Sequence, residues 1–261
     1  MSFDGSVVVI TGAASGIGAG LARRFAQEGS RLVLADRDAG RIREIADELS
    51  AVGVTADVST DEGVRSIVDR AVAEFGGVDV FCGNAGIGGA RTPADPDDAW
   101  QRTFDVNVMA HVRAARILLP QWLSRGSGRF VFTVSGAGLL SMPGGAGYSV
   151  TKHAAQAFTE WLAYTYAHRG IAVHAVCPEG VRTPMLDSDP YAELVLEPTA
   201  ITVDEVVDAV MGGIRAERFL ILPNQGTDRK YAARAIHTDE WLAAMSGIEQ
   251  RVQQTLADRQ G

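Results

Sequence analysis

The sequence predicts an α/β protein built on a doubly wound parallel sheet of about seven strands, with helices on both faces. Runs of apolar, often β-branched residues alternate with segments of helical periodicity along most of the chain, which is the element order of parallel α/β sheets. A glycine-rich turn also joins the first strand to the first helix. Strands covered on both faces are apolar throughout, and these runs fit that pattern.

The individual elements follow from where the two patterns occur. Strand-like runs lie at 6–11, 31–35, 53–56, 78–82, 129–134, 171–177 and 219–222. Helical patterns lie at 17–28, 39–50, 60–75, 97–124, 146–169 and 203–216. Three stretches without a clear element, at 86–96, 136–147 and 183–198, each follow a strand's carboxyl end, where ligands bind in such sheets. They are the predicted pocket walls, with a substrate loop at 183–200.

Length and composition favour one soluble domain over residues 1–261 that acts on small molecules. The chain is 46% hydrophobic and 21% charged, and its net charge of −8 disfavours nucleic acid or an anionic membrane as a partner. The first residues show neither a signal peptide nor a transmembrane segment, so a cytoplasmic location is expected. The two cysteines and five histidines show no metal-binding spacing. No metal site is therefore expected.

The turn Thr11–Gly18 has the features of a dinucleotide site. Its glycines let the backbone approach a pyrophosphate at a helix N-terminus, where free N–H groups favour negative charge. Asp36 closes the second strand 18 residues after Gly18, where a carboxylate holds the adenosine ribose hydroxyls and repels a 2′-phosphate. Arg37 either receives such a phosphate or is solvated. Asp36 makes NAD the expected cofactor, with NADP the less favoured alternative.

Tyr148 and Lys152 are four residues apart in a predicted helix, so their side chains share one face. A tyrosine titrates near ~10, and a nearby ammonium would stabilise its phenolate and lower that pKa. The chain has 24 basic residues, of which only Lys152 and Lys230 are lysines. The pair is therefore a candidate acid/base centre.

These residues resemble the short-chain dehydrogenase/reductase family, whose members have a Rossmann fold. Thr11–Gly18 is similar to the family's TGxxxGIG loop, and the 148–152 segment to its YxxxK motif. Asp57-Val58 resembles the pair that contacts adenine, and Asn84-Ala85-Gly86 the NAG motif. The similarity covers about residues 4–186 and becomes vague beyond them.

The resemblance implies a hydride transfer between NAD(H) and an alcohol or ketone. The implied catalytic residues are Asn107, Ser135, Tyr148 and Lys152. Tyr148 is then the acid/base, Ser135 holds the reacting oxygen, Lys152 binds the nicotinamide ribose, and Asn107 holds a water through its main chain. The cofactor-binding residues are expected to be Gly12, Ser15, Gly16, Ile17, Gly18, Asp36, Arg37, Asp57, Val58, Asn84, Ala85, Gly86, Tyr148, Lys152, Pro178, Gly180, Val181 and Thr183.

The pocket loops are mostly apolar, which favours a hydrophobic secondary alcohol or ketone. The substrate-binding residues are expected to be Ser135, Ala137, Leu139, Met142, Tyr148, Glu179, Met185 and Leu186. Steroid, alicyclic, aryl and aliphatic alcohols are not separable at this level. The alternatives are an NADPH-dependent ketoreductase and a non-catalytic NAD-binding sensor or scaffold, and an intact set of four catalytic residues disfavours the latter.

Three segments depart from the family pattern. Gly83 replaces one of the two asparagines that often precede Ala-Gly. Glu179 follows Pro178 where glycine is common; it either points to solvent, paired with Arg182, or lines the pocket and favours a donor-bearing or cationic substrate. The 227–258 tail replaces the family's short ending. It carries one apolar stripe after a possible Thr238 N-cap, and packs on its own domain, acts as a lid, or contacts a partner subunit. A homodimer or homotetramer is implied by resemblance alone.

Overall fold

The computed structural model describes residues 2–259, which contain one seven-stranded sheet in the order β3-β2-β1-β4-β5-β6-β7. All neighbouring strands pair in parallel. The strands are β1 (Val7–Thr11), β2 (Arg31–Asp36), β3 (Val52–Thr55), β4 (Val80–Gly83), β5 (Gly128–Thr133), β6 (Ile171–Val176) and β7 (Leu220–Ile221). The order reverses between β1 and β4, so a crevice opens there at the carboxyl ends of the strands.

The helices that join these strands cover both faces of the sheet. The longer ones are α1 (Gly16–Gln27), α2 (Ala39–Glu48), α3 (Asp61–Phe75), α4 (Asp97–Phe104), α5 (Ala110–Arg125), α7 (Ala146–Tyr166) and α10 (Val203–Arg215). Shorter ones are α6 (Ala137–Leu140), α8 (Pro184–Asp187) and α9 (Pro190–Leu196), and the chain ends in α11 (Thr227–Ile236) and α12 (Thr238–Asp258). The doubly wound fold is thereby confirmed.

Alternate residues of each strand supply two separate cores, as the pleat of a strand requires. In β1, Val7 and Val9 face the core under α3, α5 and α7, while Val8 and Ile10 face the core under α1, α2 and α10. The largest buried side chain of the first core is Trp122, whose indole N–H donates to the Val78 carbonyl at 2.7 Å. Both faces of the sheet are thus closed, and its carboxyl edge is left for a ligand.

Three local structures differ from the sequence expectation. The predicted 97–124 helix is divided by a π-helical turn at Asp105–Met109, which the helical periodicity does not reveal. The 183–200 loop is largely helical, through α8, α9 and a 3₁₀ turn at Glu197–Thr199. Thr238 is not an N-cap, because α11 ends only two residues earlier. His237 takes that position, and the Thr238 hydroxyl donates to the Arg234 carbonyl at 2.9 Å.

Within residues 2–259, no helix is long and apolar enough to cross a membrane. The same residues contain no group of three or more His, Cys, Asp or Glu side chains that could hold a metal ion.

Candidate active site

The glycine turn after β1 is tightly packed against β4. Gly12 has a φ of 65°, and a Cβ there would lie 2.8 Å from the Ala85 Cα atom. A Cβ on Gly18 would lie 2.1 Å from the Gly12 carbonyl oxygen. Only glycine fits such contacts. The turn therefore leaves a backbone-lined surface at the start of α1, where a phosphate group can approach the free N–H groups.

Asn84, which follows β4, fixes this turn by hydrogen bonds. Its amide Nδ2 donates to the carbonyl oxygens of Thr11 and Gly12, both at 3.2 Å, and its Oδ1 accepts from the Thr133 hydroxyl at 3.0 Å. The Asn84 backbone N–H donates to the Thr11 hydroxyl at 3.0 Å. Asn84 thus ties β1, β4 and β5 together at their carboxyl ends and fixes the shape of the glycine turn.

Gly83, the departure from the family pattern, has a steric cause. A Cβ at this position would lie 2.7 Å from the Phe132 ring and 2.9 Å from the His111 ring. These two rings stack on each other with centroids 4.2 Å apart. The stacked pair occupies the space that an asparagine side chain would need.

Asp36 stands at the other end of the turn with its carboxylate held in place. One oxygen accepts from the Ala14 N–H and the other from the Asp38 N–H, each at 3.1 Å. Asp57 is similarly fixed, since its Oδ1 accepts from the Ser59 N–H at 2.9 Å and its Oδ2 lies 3.7 Å from Arg102. Partial burial raises the pKa of Asp57, but the hydrogen bonds from Ser59 and the charge of Arg102 outweigh it, and the net pKa is lowered.

Ser135, Tyr148 and Lys152 meet at the carboxyl end of β5. The Ser135 hydroxyl is oriented by the Ala137 N–H, which donates to it at 3.0 Å, and it donates to the Pro178 carbonyl at 3.4 Å. The Lys152 Nζ donates to the Thr133 carbonyl at 3.0 Å and lies 5.5 Å from the centre of the Tyr148 ring. The three side chains all line one cleft.

Asn107 lies in the π-helical turn, behind these residues. Its side chain donates to the Ile87 carbonyl at 2.9 Å and to the Thr151 hydroxyl at 3.0 Å, and accepts from the Ile87 N–H at 2.9 Å. The side chain is therefore fully used in joining the 86–96 segment to α7. Wide turns of this kind often occur at functional sites. Thr151, which makes this link to α7, has no distinguishing sequence signal.

Burial controls the proton affinities at this centre. The pKa of Tyr148 is raised, because burial disfavours the phenolate more than the Ser135 hydroxyl favours it. The net pKa of Tyr148 in the protein alone thus lies above its ordinary value, opposite in direction to the lowering expected from Lys152. Burial also lowers the pKa of Lys152 to about 8. The ammonium lies over the ring and donates to a backbone carbonyl, so its own desolvation is the dominant effect.

Glu179 lines the cleft, as one of the two expectations had it, but its charge is paired differently from either. The carboxylate is 10% exposed and forms an ion pair with Lys230 at 2.6 Å, while Arg182 pairs instead with Glu197 at 3.6 Å. The Thr227 hydroxyl donates to the second Glu179 oxygen at 2.5 Å. Glu179 does lie at the cleft, but its charge is already matched by Lys230. It therefore offers no free charge to a cationic substrate.

The cleft has a volume of about 790 Å³ and joins the cofactor side to the substrate side. Of the predicted cofactor residues, Gly18 and Gly180 do not line it: Gly18 packs under Gly12, and the Gly180 backbone contacts Leu196. The others do: Gly12, Ser15, Gly16, Ile17, Asp36, Arg37, Asp57, Val58, Asn84, Ala85, Gly86, Tyr148, Lys152, Pro178, Val181 and Thr183.

The substrate side differs from the prediction at one residue and adds several. Leu139 faces the core and is 1% exposed, because its place in α6 directs it away from the cleft, and Leu140 lines the cleft instead. The predicted residues Ser135, Ala137, Met142, Tyr148, Glu179, Met185 and Leu186 do line it. So do four side chains of α12, namely Trp241, Ala244, Met245 and Ile248.

The comparison that decides the family is a match to the model for short chain dehydrogenases over residues 6–193. The chain belongs to the short-chain dehydrogenase family. The 1-deoxy-11-beta-hydroxypentalenate dehydrogenase of Streptomyces exfoliatus is 33% identical over 250 residues, which cover 92% of this chain and 90% of the relative.

Two solved structures of the short-chain dehydrogenase fold are similar along most of the chain. A short-chain dehydrogenase/reductase from Burkholderia phymatum in complex with NAD has a TM-score of 0.85 and 30% identity, and covers 93% of this chain and 96% of its own. A short-chain dehydrogenase from Sphingobium yanoikuyae in complex with NADPH has a TM-score of 0.78 and 27% identity, with 93% and 95% covered. The family thus binds either nucleotide, and this protein is an NAD(P)-type oxidoreductase.

Proposed function

We propose that this short-chain dehydrogenase is an NAD-dependent enzyme that interconverts a hydrophobic secondary alcohol and its ketone. The observation that carries the proposal is the meeting of Ser135, Tyr148 and Lys152 in one cleft with the glycine turn and the Asp36 carboxylate. A positioned acid/base contributes roughly 10²–10⁴ in rate. The site has that group, a hydroxyl partner and a cofactor cradle within reach of one another.

The residues present fit a dinucleotide. A Cβ on Gly12 or Gly18 would collide with the backbone of Ala85 or Gly12 and deform the turn that receives the nucleotide, and the start of α1 offers N–H donors to a pyrophosphate. Asp36 would hold the adenosine ribose, Asp57 and Val58 would border the adenine, and Lys152 would bind the nicotinamide ribose. When bound, the cofactor accepts or supplies the hydride and, in its oxidised form, brings a positive charge to the site.

The protein's own residues manage the proton. In ketone reduction, Tyr148 donates its phenolic proton to the carbonyl oxygen, which the Ser135 hydroxyl holds. The raised pKa of Tyr148 keeps this phenol protonated at neutral pH, which suits the reduction. In alcohol oxidation the transfer runs in reverse: the Tyr148 phenolate accepts the hydroxyl proton, and the Lys152 ammonium stabilises that phenolate before the transfer. Asn107 contributes a main-chain carbonyl for a water between Lys152 and solvent.

Tyr148→Phe tests this assignment. The variant keeps the ring in its half-buried position but has no proton to transfer, so NAD binding is retained and turnover falls by about 10²-fold or more. Nucleotide binding is measured by fluorescence titration and turnover by nicotinamide absorbance. Residual turnover within about tenfold of the wild type would refute the role of Tyr148.

The preference for NAD over NADP rests on Asp36. Its carboxylate is fixed by two backbone N–H groups, so it cannot easily move away from a 2′-phosphate. Arg37 also lines the cleft, which keeps an NADPH-dependent ketoreductase as the alternative. Rates with NAD(H) and NADP(H) decide between them, and Asp36→Asn is expected to raise the relative rate with NADP(H). Equal use of both cofactors by the wild type would contradict the proposed role of Asp36.

The substrate class follows from the walls of the cleft. Most substrate-side residues are apolar, and the charged groups there are paired: Glu179 with Lys230, and Arg91 with Asp189 at 3.0 Å. The Streptomyces relative is named as the dehydrogenase of a hydroxypentalenate. A panel of secondary alcohols and ketones of increasing apolar size, assayed with both cofactors, is the direct test. A preference for small, highly polar alcohols would contradict the assignment.

Assembly and location remain proposals. Phe104 and Trp161 are exposed large apolar side chains on α4 and α7, which supports a homodimer or homotetramer formed through these helices. The cytoplasm is the proposed location. Light scattering of the purified protein gives the oligomeric state, and a monomer at micromolar concentration would contradict this proposal.

A further inference from the structure

The Glu179 carboxylate, in the loop after β6, lies between the active-site segment after β5 and the C-terminal helix α11. A Cβ on Gly136, next to the catalytic Ser135, would lie 2.8 Å from the Glu179 Cγ atom. On its other side, Glu179 accepts from Thr227, which is fully buried, and from Lys230, whose side chain is 43% exposed. A buried carboxylate needs such partners, because removing one leaves an uncompensated charge.

Other hydrogen bonds attach the same C-terminal segment to the same loops. The Asn224 side chain accepts from the Glu179 N–H at 2.9 Å and donates to the Gly180 carbonyl at 3.1 Å. Arg234, at the end of α11, donates to the Leu139 carbonyl in α6. Residues 224–234 are thus joined to both segments that border the reacting centre.

Helix α12 follows this attachment directly and forms the outer wall of the substrate side. Trp241, Met245 and Ile248 are partly buried and line the cleft. Two polar contacts join it to the substrate loop: the Tyr191 phenol donates to Glu249 at 3.2 Å, and Arg259 lies 3.7 Å from Glu193. Trp241 also packs against the core of the sheet, and Val252 is 6% exposed. Because α12 begins two residues after α11 ends, its position also depends on how α11 is held.

We infer that Glu179, through Lys230 and Thr227, is a positioning residue that holds α12 as a preformed wall and thereby sets the preference for bulky apolar substrates. The inference rests on the proposed function and adds the residues that select for size. A small alcohol beside Tyr148 does not reach the wall. A fused-ring alcohol gains its binding energy there, and that gain is largest when the wall is already ordered.

Glu179→Gln and Lys230→Met test this in the full-length protein. The substrates are cyclohexanol and a fused-ring secondary alcohol such as 2-decalol, each assayed with NAD. For the bulky alcohol, KM is expected to rise about tenfold with kcat nearly unchanged, since uniform binding is lost. For cyclohexanol, the rise in KM is expected to be several-fold smaller, so that the ratio of kcat/KM for the bulky alcohol to that for cyclohexanol falls. Lys230→Arg keeps the cation and is expected to retain the wild-type ratio of kcat/KM for the bulky alcohol to kcat/KM for cyclohexanol.

A matched control is the ion pair between Arg129 and Glu217 at the opposite edge of the sheet, in which one partner is also buried and the other exposed. Glu217→Gln is expected to leave the ratio of kcat/KM for the two alcohols unchanged. The inference is overturned if Glu179→Gln and Lys230→Met lower kcat/KM for both alcohols by the same factor, or leave kcat/KM for both unchanged. Should Glu179→Gln fail to fold, Lys230→Met, at a half-exposed position, decides alone.

Hydrogen exchange of residues 238–258 provides a readout that does not need turnover. Faster exchange in this helix in both variants, with β1 and β5 unaffected, supports the attachment. Unchanged exchange overturns it. If the wild type turns over neither alcohol with either nucleotide, the proposed function fails, whereas the exchange result still decides whether Glu179 and Lys230 hold the wall.

Discussion

Replacing Lys152 with methionine is expected to stabilise the nucleotide-free protein while abolishing turnover. Lys152 is 2% exposed, and burial lowers its pKa from the ordinary 10.5 to about 8. A shift of that size corresponds to about 3 kcal/mol. The folded state is destabilised by this amount at pH 7, where the lysine is protonated. Methionine, of similar length, carries no charge.

The gain is reduced by one lost hydrogen bond. The Thr133 carbonyl accepts from the Lys152 Nζ at 3.0 Å, and leaving it without a donor costs about 1 kcal/mol. The net stabilisation is then about 2 kcal/mol, which for a protein of this size raises Tm by about 4–8 °C.

The stabilisation is expected to depend on pH in a defined direction. Because the folded-state pKa lies below the unfolded one, the unfolded state binds more protons between about pH 8 and 10.5, and wild-type stability gains from this residue as the pH rises through that window. Burial raises the pKa of Tyr148, and raises that of Cys177 to about 12. These two shifts lower the stability as the pH rises, and so oppose the gain from Lys152 at high pH. Both groups are present in the variant, so the difference between the two proteins isolates Lys152.

Thermal unfolding followed by circular dichroism at pH 7, 8, 9 and 10, without nucleotide, measures this difference. The variant melts higher at pH 7, and the gap narrows towards pH 10. Lys230→Met, at the chain's other lysine, serves as the contrast, because its ammonium is half exposed and paired, and no stabilisation is expected. A variant that melts below the wild type at pH 7, or a gap that does not change with pH, would refute the reasoning.

Three further substitutions test the packing behind the site. Gly18→Ala puts a Cβ 2.1 Å from the Gly12 carbonyl and should weaken NADH binding at least tenfold, or about 1.4 kcal/mol, in a fluorescence titration; Gly212→Ala, which meets nothing within 4 Å, is the control. Gly83→Asn should lower the free energy of unfolding by about 1–3 kcal/mol through its clash with Phe132 and His111, and an unchanged Tm would contradict this. Thr151→Val leaves the Asn107 amide without its acceptor and should cost about 1–3 kcal/mol in urea unfolding; Thr151→Ser should recover most of it.

The cofactor side could be predicted because its signals are local. The strand, the glycine turn and the first helix are adjacent in sequence, and the contact that demands glycine at Gly18 is with the nearby Gly12, although Gly12 itself packs against the distant Ala85. Asp36 ends the strand beside β1, so its position follows from the parallel register. The fold and the location of the cleft thus follow from short-range pattern and sheet topology.

The substrate side could not be predicted to the same degree, because its contacts join distant segments. Glu179 pairs with a lysine 51 residues away, and no spacing rule connects them. Leu139 and Leu140 are equally apolar, and only the orientation of a four-residue helix directs one to the core and the other to the cleft. The π-helical turn at Asn107 has no signature in helical periodicity.

The effect of burial on the pKa values of Tyr148 and Lys152 could likewise not be predicted from the sequence. A tyrosine and a lysine on one helical face suggest a lowered phenol pKa when both are treated as partly solvated charges. In the fold Lys152 is buried and Tyr148 is half-buried, and desolvation opposes the charged form of each. The sign of the shift is therefore a property of the surrounding packing, which four-residue spacing does not encode.

The chain's two lysines differ in what their side chains do. Both line the cleft. Lys152 is buried, and burial lowers its pKa to about 8, so it can lose its proton, which a guanidinium cannot do. Lys230 is half exposed and supplies only a positive charge to Glu179, a role that arginine could also fill. The scarcity of lysine therefore indicated Lys152 for a chemical reason, while Lys230 owes its importance to where α11 places it.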